Sequence, residues 1–236
     1  HGLIDIEKAL EVSCNYFFYE VGYRLAGGED NYSDSVGLSK LSKYASLFGL
    51  DTTSGIELDE IEPKVSDESA VRSAIGQGTN AYTPTQLSRY VTTIATSGTC
   101  YDLSIIKKIT NKDGKTTYEN PHNIHGKVDI SSGLWNTVHN GMRRVVKEHT
   151  DEDMLINQID VDVAGKTGTA EENLARPAHA LFVSYAPFNR PEISVTSVIP
   201  YGYSSGNAEE LAGFRYCVFT IVNGFRTPLR RCGRIL

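Results

Sequence analysis

Three strand-like runs in the last third of the chain constrain its fold more than any other feature. They are VDVAGKTGTA (161–170), HALFVSYAPF (179–188) and EISVTSVIPY (192–201). Short loops that contain glycine, proline or asparagine separate them, and such loops between consecutive strands are typical of antiparallel neighbours. We therefore predict an antiparallel meander from residue 160 onward.

Earlier in the chain, apolar residues recur mainly at helical spacing. Thr83 suits a helix N-cap, Pro84 suits the first helical position and Gln86 completes a capping box, which together predict a helix start. An edge hairpin is predicted over residues 103–119, with Asp113-Gly114 as its turn. Helices first and a strand meander last indicate an α+β fold, in which helices pack on an antiparallel sheet. The other predicted helices cover 3–27 (in two stretches interrupted at 13–15), 33–50 and 131–148.

Composition excludes several classes of function. The 236 residues carry a formal net charge of −6, and no cluster of lysine and arginine suggests phosphate binding, so we expect no nucleic-acid partner. No apolar run approaches the roughly 18–20 residues of a membrane span. The four cysteines (Cys14, Cys100, Cys217 and Cys232) show no CxxC spacing, and the six histidines form no metal-binding pattern. We therefore expect no metal and no cofactor.

The segment AGKTGTAEE (164–172) places a lysine between two glycines and follows it with two threonine hydroxyls. On a strand, Lys166 and Gly168 would face one way, and Thr167 and Thr169 the other. A glycine beside the lysine lets a ligand approach the strand, and an exposed edge can bind an extended peptide as one more strand. The ammonium group could hold a carboxylate or lower the pKa of a neighbouring hydroxyl. The alternative interpretation is an ordinary lysine beside a hairpin.

A Ser-x-Asn triplet occurs twice, as Ser13-Cys14-Asn15 and as Ser205-Gly206-Asn207. Serine and asparagine are favoured at helix N-caps, so capping is the alternative interpretation of both copies. The first copy lies between two aromatic-rich helical stretches, well upstream of Lys-Thr-Gly. The second follows the last strand, where we predict a turn or cap.

Five stretches, in this order, resemble the transpeptidase domain of class B penicillin-binding proteins, in particular the elongation-type enzymes that crosslink peptidoglycan. They are SCNYFFYEVG, FGLDTTSGIEL, AIGQGTNAYTPTQLSRYVTTIATSGT, NGMRRVV and AGKTGTAE…RPAHALFVSYAP. The resemblance covers roughly residues 1–212, which we interpret as a partial transpeptidase domain. The family shares three motifs with serine β-lactamases: Ser-x-x-Lys, Ser-x-Asn and Lys-Thr-Gly.

The resemblance implies a role for each motif residue. Ser13 would relay protons toward the leaving amine or position the general base, and Asn15 would bind the substrate's amide backbone. Lys166 would set the electrostatics of the cleft and help to recognise the terminal carboxylate. Thr167 and Thr169 would offer hydroxyls to that carboxylate, and the N–H of Thr169 would be one arm of an oxyanion hole.

The resemblance also implies partners and a location. In such enzymes a serine attacks the penultimate D-Ala of a stem peptide, releases the terminal D-Ala and passes the acyl group to another stem's amine. β-Lactams mimic D-Ala-D-Ala and trap the acyl-enzyme. The implied partners are stem peptides ending in D-Ala-D-Ala, β-lactams and the membrane proteins of cell-wall elongation. The implied location is the extracytoplasmic face of the bacterial cell membrane, with an anchor upstream of this chain.

The chain departs from the family at the nucleophile. In the family Ser-x-x-Lys precedes Ser-x-Asn by several tens of residues, and this chain starts after that position. The only Ser-x-x-Lys here, Ser104 to Lys107, lies on a stretch that alternates like a strand rather than opening a helix. We therefore expect the nucleophile and its lysine to lie outside this chain, and the chain by itself to be inactive.

A second departure is the C-terminal segment, residues 213–236, where β-branched residues, a proline and five arginines replace the continuation of an amphipathic helix. We predict a tail there that differs from the family. Two further interpretations remain open. A serine β-lactamase or β-lactam sensor would share the motifs, and a scaffold of the same fold would bind without catalysis.

Overall fold

The computed structural model describes residues 1–149, 154–172 and 175–222, and within these ranges helices precede a strand meander. The helices are α1 (Ile6–Glu11), α2 (Asn15–Leu25), α3 (Gly28–Asn31), α4 (Asp34–Leu47), α5 (Ala70–Ser73), α6 (Pro84–Ala95), α7 (Ser132–Arg144), α8 (Leu155–Gln158) and α9 (Ser205–Val222), and a π-helical segment, Val145–His149, follows α7. The strands are β1 (Thr99–Tyr101), β2 (Lys108–Thr110), β3 (Thr116–Glu119), β4 (Ile124–Lys127), β5 (Ala164–Ala170), β6 (His179–Ala186) and β7 (Ile193–Ile199). The predicted α+β fold is confirmed.

The main sheet is an antiparallel meander in the order β5-β6-β7. Its register pairs Thr167 with Phe182, and Phe182 in turn with Ser197. The three strand-like runs of the sequence coincide with these three strands, which confirms the predicted meander. Within the described residues β5 therefore lies at one end of the sheet and pairs with a strand on one side only.

Helices pack on both faces of the sheet. Successive side chains of β6 point to opposite faces, so each face has its own buried cluster. Phe182 packs in a buried cluster with Ile156 of α8 and Tyr216 of α9. Tyr185 packs on the other side, in a cluster that contains Trp135 of α7. The order of the layers is thus α8 and α9, the sheet, and then α6 and α7.

The start of α6 follows from its capping residues. The hydroxyl of Thr83 accepts a hydrogen bond from the N–H of Gln86, at 3.2 Å, and the side chain of Gln86 accepts one from the N–H of Thr83, at 2.8 Å. This reciprocal pair satisfies two of the helix's otherwise free N–H groups. The predicted capping box and the proline at the first turn are confirmed.

Two small sheets lie outside the meander. The predicted hairpin is confirmed as the pair β2–β3, which joins Lys108 to Glu119. At its turn the side chain of Asn111 accepts hydrogen bonds from the N–H groups of Asp113 and Lys115, and Gly114 has a φ of 79°. The second pair, β1–β4, was not predicted.

Helix α9 continues through residues 213–222, past the point where a divergent tail was predicted to begin. The domain boundary after residue 212 stays a prediction, and residues 223–236 lie outside the described residues. Over the described ranges, no helix combines the length and the apolar character that crossing a membrane requires.

Candidate active site

Ser13 lies in the turn between α1 and α2, and the way α1 ends fixes its backbone. The N–H of Ser13 donates to the carbonyl of Leu10, and the N–H of Cys14 donates to that of Ala9. This pair of bonds is the Schellman pattern, which places its central residue in the left-handed region. Ser13 accordingly has a φ of 49°. Because Cys14 is 7% exposed, the turn is anchored while the neighbouring hydroxyl stays accessible.

Asn15 is the first residue of α2, one position after the N-cap Cys14. The structure shows no side-chain capping bond at this helix start, so the N-cap interpretation of Asn15 does not hold. Its exposed side chain instead lines a cleft. The amide can therefore offer both a donor and an acceptor to a ligand.

Lys166 lies on β5, opposite the α1–α2 turn. Its ammonium group donates a hydrogen bond to the hydroxyl of Ser13, across 153 residues of sequence. It also donates to the carbonyl of Thr167, at 3.1 Å. A lysine that donates to Ser13 leaves the serine's own proton free for another acceptor. The structure thus brings Ser13, Asn15 and Lys166 together.

The environment of Lys166 changes its acidity. Burial lowers the pKa of Lys166 to about 8, and the negative charge of Glu209 opposes this shift. Glu209 lies on α9 and is 3% exposed. Most of the lysine is still protonated at neutral pH, so the cleft contains a poorly hydrated cation that can attract a carboxylate.

The two glycines near Lys166 have different structural roles. A Cβ on Gly165 would lie 2.3 Å from the ring of Phe182 on β6, so this glycine admits a core side chain rather than a ligand. The sequence interpretation of a glycine that admits a ligand therefore does not apply to Gly165. Gly168 lines the cleft, together with Thr167 and Thr169.

These groups surround an open cavity of about 570 Å³. One wall is the α1–α2 turn, the second is β5, and the third is the loop that follows α5. Several of the lining residues carry no functional signal in the sequence, since apolar residues at helical spacing look like core and a loop glutamine belongs to no motif. These are Leu10, Phe18, Ala74, Ile75, Gln77 and Tyr90.

The second Ser-x-Asn triplet has the predicted turn role. Ser205 begins α9, and the side chain of Asn207 donates to the carbonyl of Gly202, at 2.8 Å. Ser205 also lines the cavity, which the sequence did not indicate. Asn207 is used to fix the turn before α9.

Ser104 does not belong to the cleft. It precedes β2 rather than opening a helix, and its hydroxyl donates to the carboxylate of Glu57. It lines a different and smaller cavity, of about 140 Å³. The structure therefore gives Ser104 a local structural contact and no part in this site.

Within the described part of the chain, no three histidine, cysteine, aspartate or glutamate side chains converge in a possible metal site. Cys14 and Cys100 are buried free thiols. Cys232 and the side chain of Cys217 lie outside the described residues.

Comparisons with known proteins agree with this geometry. Residues 1–213 match the family described as the penicillin binding protein transpeptidase domain. Penicillin-binding protein 2A of Bacillus subtilis is 28% identical over 87% of this chain and 32% of its own length. Peptidoglycan D,D-transpeptidase MrdA of Haemophilus influenzae is 27% identical over 90% of this chain and 36% of its own length. The chain thus spans about a third of the length of these curated relatives.

A solved structure supports the same assignment. Penicillin-binding protein 2B of Streptococcus pneumoniae superposes with a TM-score of 0.82 and 27% sequence identity, covering 94% of this chain and 40% of that one. Its likeness extends over almost the whole chain. The chain therefore belongs to the transpeptidase domain family of the class B penicillin-binding proteins.

Proposed function

We propose that the protein containing this chain is an elongation-type peptidoglycan D,D-transpeptidase, and that this chain supplies the groups that bind the D-Ala-D-Ala end of a stem peptide. The observation that carries the proposal is the hydrogen bond from Lys166 to Ser13 across a cleft that Asn15 also lines. A cation, a hydroxyl and an amide in one groove match the carboxylate, leaving amine and backbone amide of such a peptide.

The roles follow from position. Lys166, with its partly desolvated ammonium group, attracts the terminal carboxylate, and the hydroxyls of Thr167 and Thr169 donate to it. Ser13 passes a proton toward the leaving amine, because its oxygen already accepts from Lys166. Asn15 binds the peptide's amide backbone, and Gly168 leaves room on β5 for the peptide. The N–H of Thr169 is one arm of the oxyanion hole.

The reaction proceeds through an acyl-enzyme. A serine of the whole protein, outside residues 1–236, attacks the carbonyl carbon of the penultimate D-Ala, and the terminal D-Ala leaves as the amine. The amine of a second stem peptide then attacks the ester and releases the serine. A β-lactam acylates the same serine. The names of the relatives, penicillin-binding protein and D,D-transpeptidase, support this reaction.

The same relationship supports the location and partners of the whole protein. Crosslinking of peptidoglycan takes place outside the cytoplasmic membrane, so the transpeptidase domain works on that side. The membrane proteins of cell-wall elongation are its assembly partners. A solved complex of a peptidoglycan synthase contains a chain that is 25% identical to this one, with a TM-score of 0.73.

Ligand binding by the chain itself tests the site. Titration of the isotope-labelled protein with N-acetyl-D-alanyl-D-alanine should shift NMR signals of the cleft residues. The Lys166→Ala variant should lose this response, while Lys112→Ala, which changes an exposed lysine at the hairpin turn, should retain it. An equal response to the L-alanyl-L-alanine peptide, or full binding by Lys166→Ala, would contradict the proposal.

Acylation of the full-length protein tests the activity. A fluorescent penicillin should label it in one-to-one stoichiometry, and the label should persist. Absence of labelling would favour a non-catalytic scaffold, and rapid turnover of the antibiotic would favour a serine β-lactamase.

A further inference from the structure

The edge of β5 that faces the cleft is a row of backbone groups available to a ligand. Within the described residues β5 pairs with β6 on its other side only. In an antiparallel pair, alternate residues direct their N–H and C=O groups toward the partner strand, and the residues between them direct these groups away. The contacts of Thr167 and Thr169 identify them as the residues whose carbonyls point to the free edge.

Both of these carbonyls are already covered by a side chain. Lys166 donates to the carbonyl of Thr167, at 3.1 Å. The side-chain amide of Gln77, from the loop after α5, donates to the carbonyl of Thr169, at 3.4 Å. This second bond is long and exposed, so it can exchange readily with another donor.

The backbone of Gln77 is held firmly, although its side-chain bond is weak. Its N–H donates to the carbonyl of Arg72, at 3.2 Å, and its own carbonyl accepts from the side chain of Asn80, at 3.0 Å. The flanking Gly76 and Gly78 have φ values of 81° and 87°, a conformation that favours glycine. The loop therefore presents the glutamine side chain at a fixed place against β5.

Asn80 is itself fixed. Its side-chain oxygen accepts from the N–H of Ser66, at 2.8 Å, and from the hydroxyl of Tyr82, at 2.9 Å. A Cβ on Gly78 would lie 2.6 Å from the hydroxyl oxygen of Ser66, so the loop also packs closely on this serine. This network holds the loop and keeps Gln77 within reach of Thr169.

We propose that Gln77 is a displaceable cap on the substrate-binding edge of β5 and thereby a specificity-determining residue. The inference rests on the proposed function, since it takes an extended peptide as the ligand. A peptide that adds to β5 must give an N–H to the carbonyl of Thr169, and it displaces the amide of Gln77 in doing so. A ligand that has no N–H at this position gains nothing from the displacement.

Two ligands that differ only in the group facing Thr169 can distinguish a displaceable cap from a merely structural role of Gln77. N-Acetyl-D-alanyl-D-alanine has an N–H on its penultimate residue, and O-acetyl-D-lactyl-D-alanine has an ester oxygen there. In Gln77→Ala the amide ligand meets no competing donor, so it should bind about two- to fivefold more tightly, as expected for one weak neutral hydrogen bond. The ester ligand should bind the two proteins equally. Asn189→Ala, which removes an exposed amide elsewhere, should change neither affinity.

Equal changes for both ligands, or weaker binding of the amide ligand by Gln77→Ala, would overturn the inference. If the unmodified chain bound neither ligand, the proposed function itself would be rejected. The cap can then be tested without a ligand, from the carbonyl ¹³C shift of Thr169. The carbonyl shift of Thr169 should change in Gln77→Ala, while that of Thr167 stays constant. An unchanged Thr169 shift would contradict the proposed role of Gln77 as a cap.

Discussion

Two serines of this chain occupy the same kind of backbone position with different partners. Ser13 ends α1 and Ser97 ends α6, and each has a left-handed φ, of 49° and 52°. Each lies in a turn with the Schellman pattern of hydrogen bonds. Ser13 accepts from Lys166, whereas Ser97 lies 3.1 Å from the imidazole of His139. The backbone position is therefore shared, and the facing residue determines what each hydroxyl can do.

A glycine at each position separates the backbone effect from the hydroxyl effect. Because glycine adopts a left-handed φ without steric cost, Ser13→Gly should leave the free energy of unfolding unchanged or raise it by up to about 1 kcal/mol. Ser97→Gly is the matched control and should behave similarly in urea unfolding. Only Ser13→Gly should lower the affinity for N-acetyl-D-alanyl-D-alanine, and an equal loss in Ser97→Gly would contradict a role specific to Ser13.

The lowered pKa of Lys166 predicts how ligand binding depends on pH. The ammonium group loses its proton as the pH rises through about 8. The affinity for a ligand with a free terminal carboxylate should therefore fall several-fold between pH 7 and pH 9. The corresponding ligand with a terminal amide carries no charge and should show no such decrease. NMR titrations at both pH values measure this difference, and parallel curves for the two ligands would argue against a lysine–carboxylate contact.

At this scale the sequence predicted the residues but not all of their neighbours. Ser13, Asn15 and Lys166 could be found because they lie in short motifs. Gln77 and Glu209 could not, since their contacts depend on how a loop and a helix pack. The two consecutive glutamates of α9 illustrate this. Glu209 faces the site of Lys166, while Glu210 accepts a hydrogen bond from the N–H of Leu155, at 2.9 Å.

Among the elements, α6 holds the irregular segment that precedes α5 through two groups of hydrogen bonds. Arg89 is 1% exposed and donates to the carbonyl of Gly49 and to that of Thr52, the latter at 2.8 Å. At the start of the same helix, Glu60 accepts hydrogen bonds from Thr85 and from the N–H and hydroxyl of Ser54. These side chains attach the long loop before α5 to the helix that supports the sheet.

Removal of the buried arginine should therefore destabilise the whole domain. Arg89→Ala leaves a cavity and removes donors from buried carbonyls, which should lower the free energy of unfolding by about 2–4 kcal/mol. The matched control is Arg72→Ala, since Arg72 forms an exposed i,i+4 pair with Glu68. That change should cost less than about 0.5 kcal/mol. Urea unfolding followed by tryptophan fluorescence measures both, and equal effects would contradict the assigned role of Arg89.

Helix α7 is joined to β6 by a titratable contact. His139 makes a hydrogen bond with the hydroxyl of Tyr185, which is fully buried, and burial lowers the pKa of the imidazole. The phenol has no other hydrogen-bond partner among the described residues, so we infer that it donates to Nδ1. The proton then lies on Nε2, which donates to Ser97. The imidazole is thus neutral in the folded protein.

This contact should make stability decrease in mild acid. A folded-state pKa below the ordinary value of about 6.5 means that the unfolded chain binds the proton more readily. The contribution of His139 is therefore present above pH 6.5 and is lost as the pH falls below it. His139→Gln should have a smaller decrease in its urea midpoint between pH 7.5 and pH 5.5 than the unmodified protein. An identical decrease would show that other groups cause it.

The elements could be predicted where a pattern was long or a cap was specific. The three strands of the meander, the hairpin turn and the start of α6 all meet that condition. The pair β1–β4 has neither a long pattern nor a specific turn, because its strands of three and four residues are too short for a period to be recognised. Its partners also lie far apart in sequence, with Thr99 opposite Lys127.

For the molecule as a whole, the sequence supplied the fold class through the order of its patterns. It could not supply the cleft, because the walls come from three separate parts of the chain and meet only after packing. The family relationship compensated for this, since it named the motifs that belong together. In the C-terminal region α9 continues to Val222, and the predicted boundary after residue 212 stays a prediction.

The chain as a whole should bind without reacting. The cleft groups polarise and hold a ligand, and the only Ser-x-x-Lys serine, Ser104, lines a different cavity. Incubation with benzylpenicillin should therefore leave the mass of the intact protein unchanged. The full-length protein is the positive control, and a stoichiometric adduct on any serine of this chain would refute the expectation.

The contact between Lys166 and Ser13 closes a loop of more than 150 residues. A loop of this size closes late in folding unless the intervening segments have already folded. An intact cleft therefore indicates that the rest of the domain has folded. A protease cut in the connecting region would leave its two sides joined only by non-covalent packing. Mutations far from the cleft can consequently abolish ligand capture by loosening that packing, without altering any group that touches the ligand.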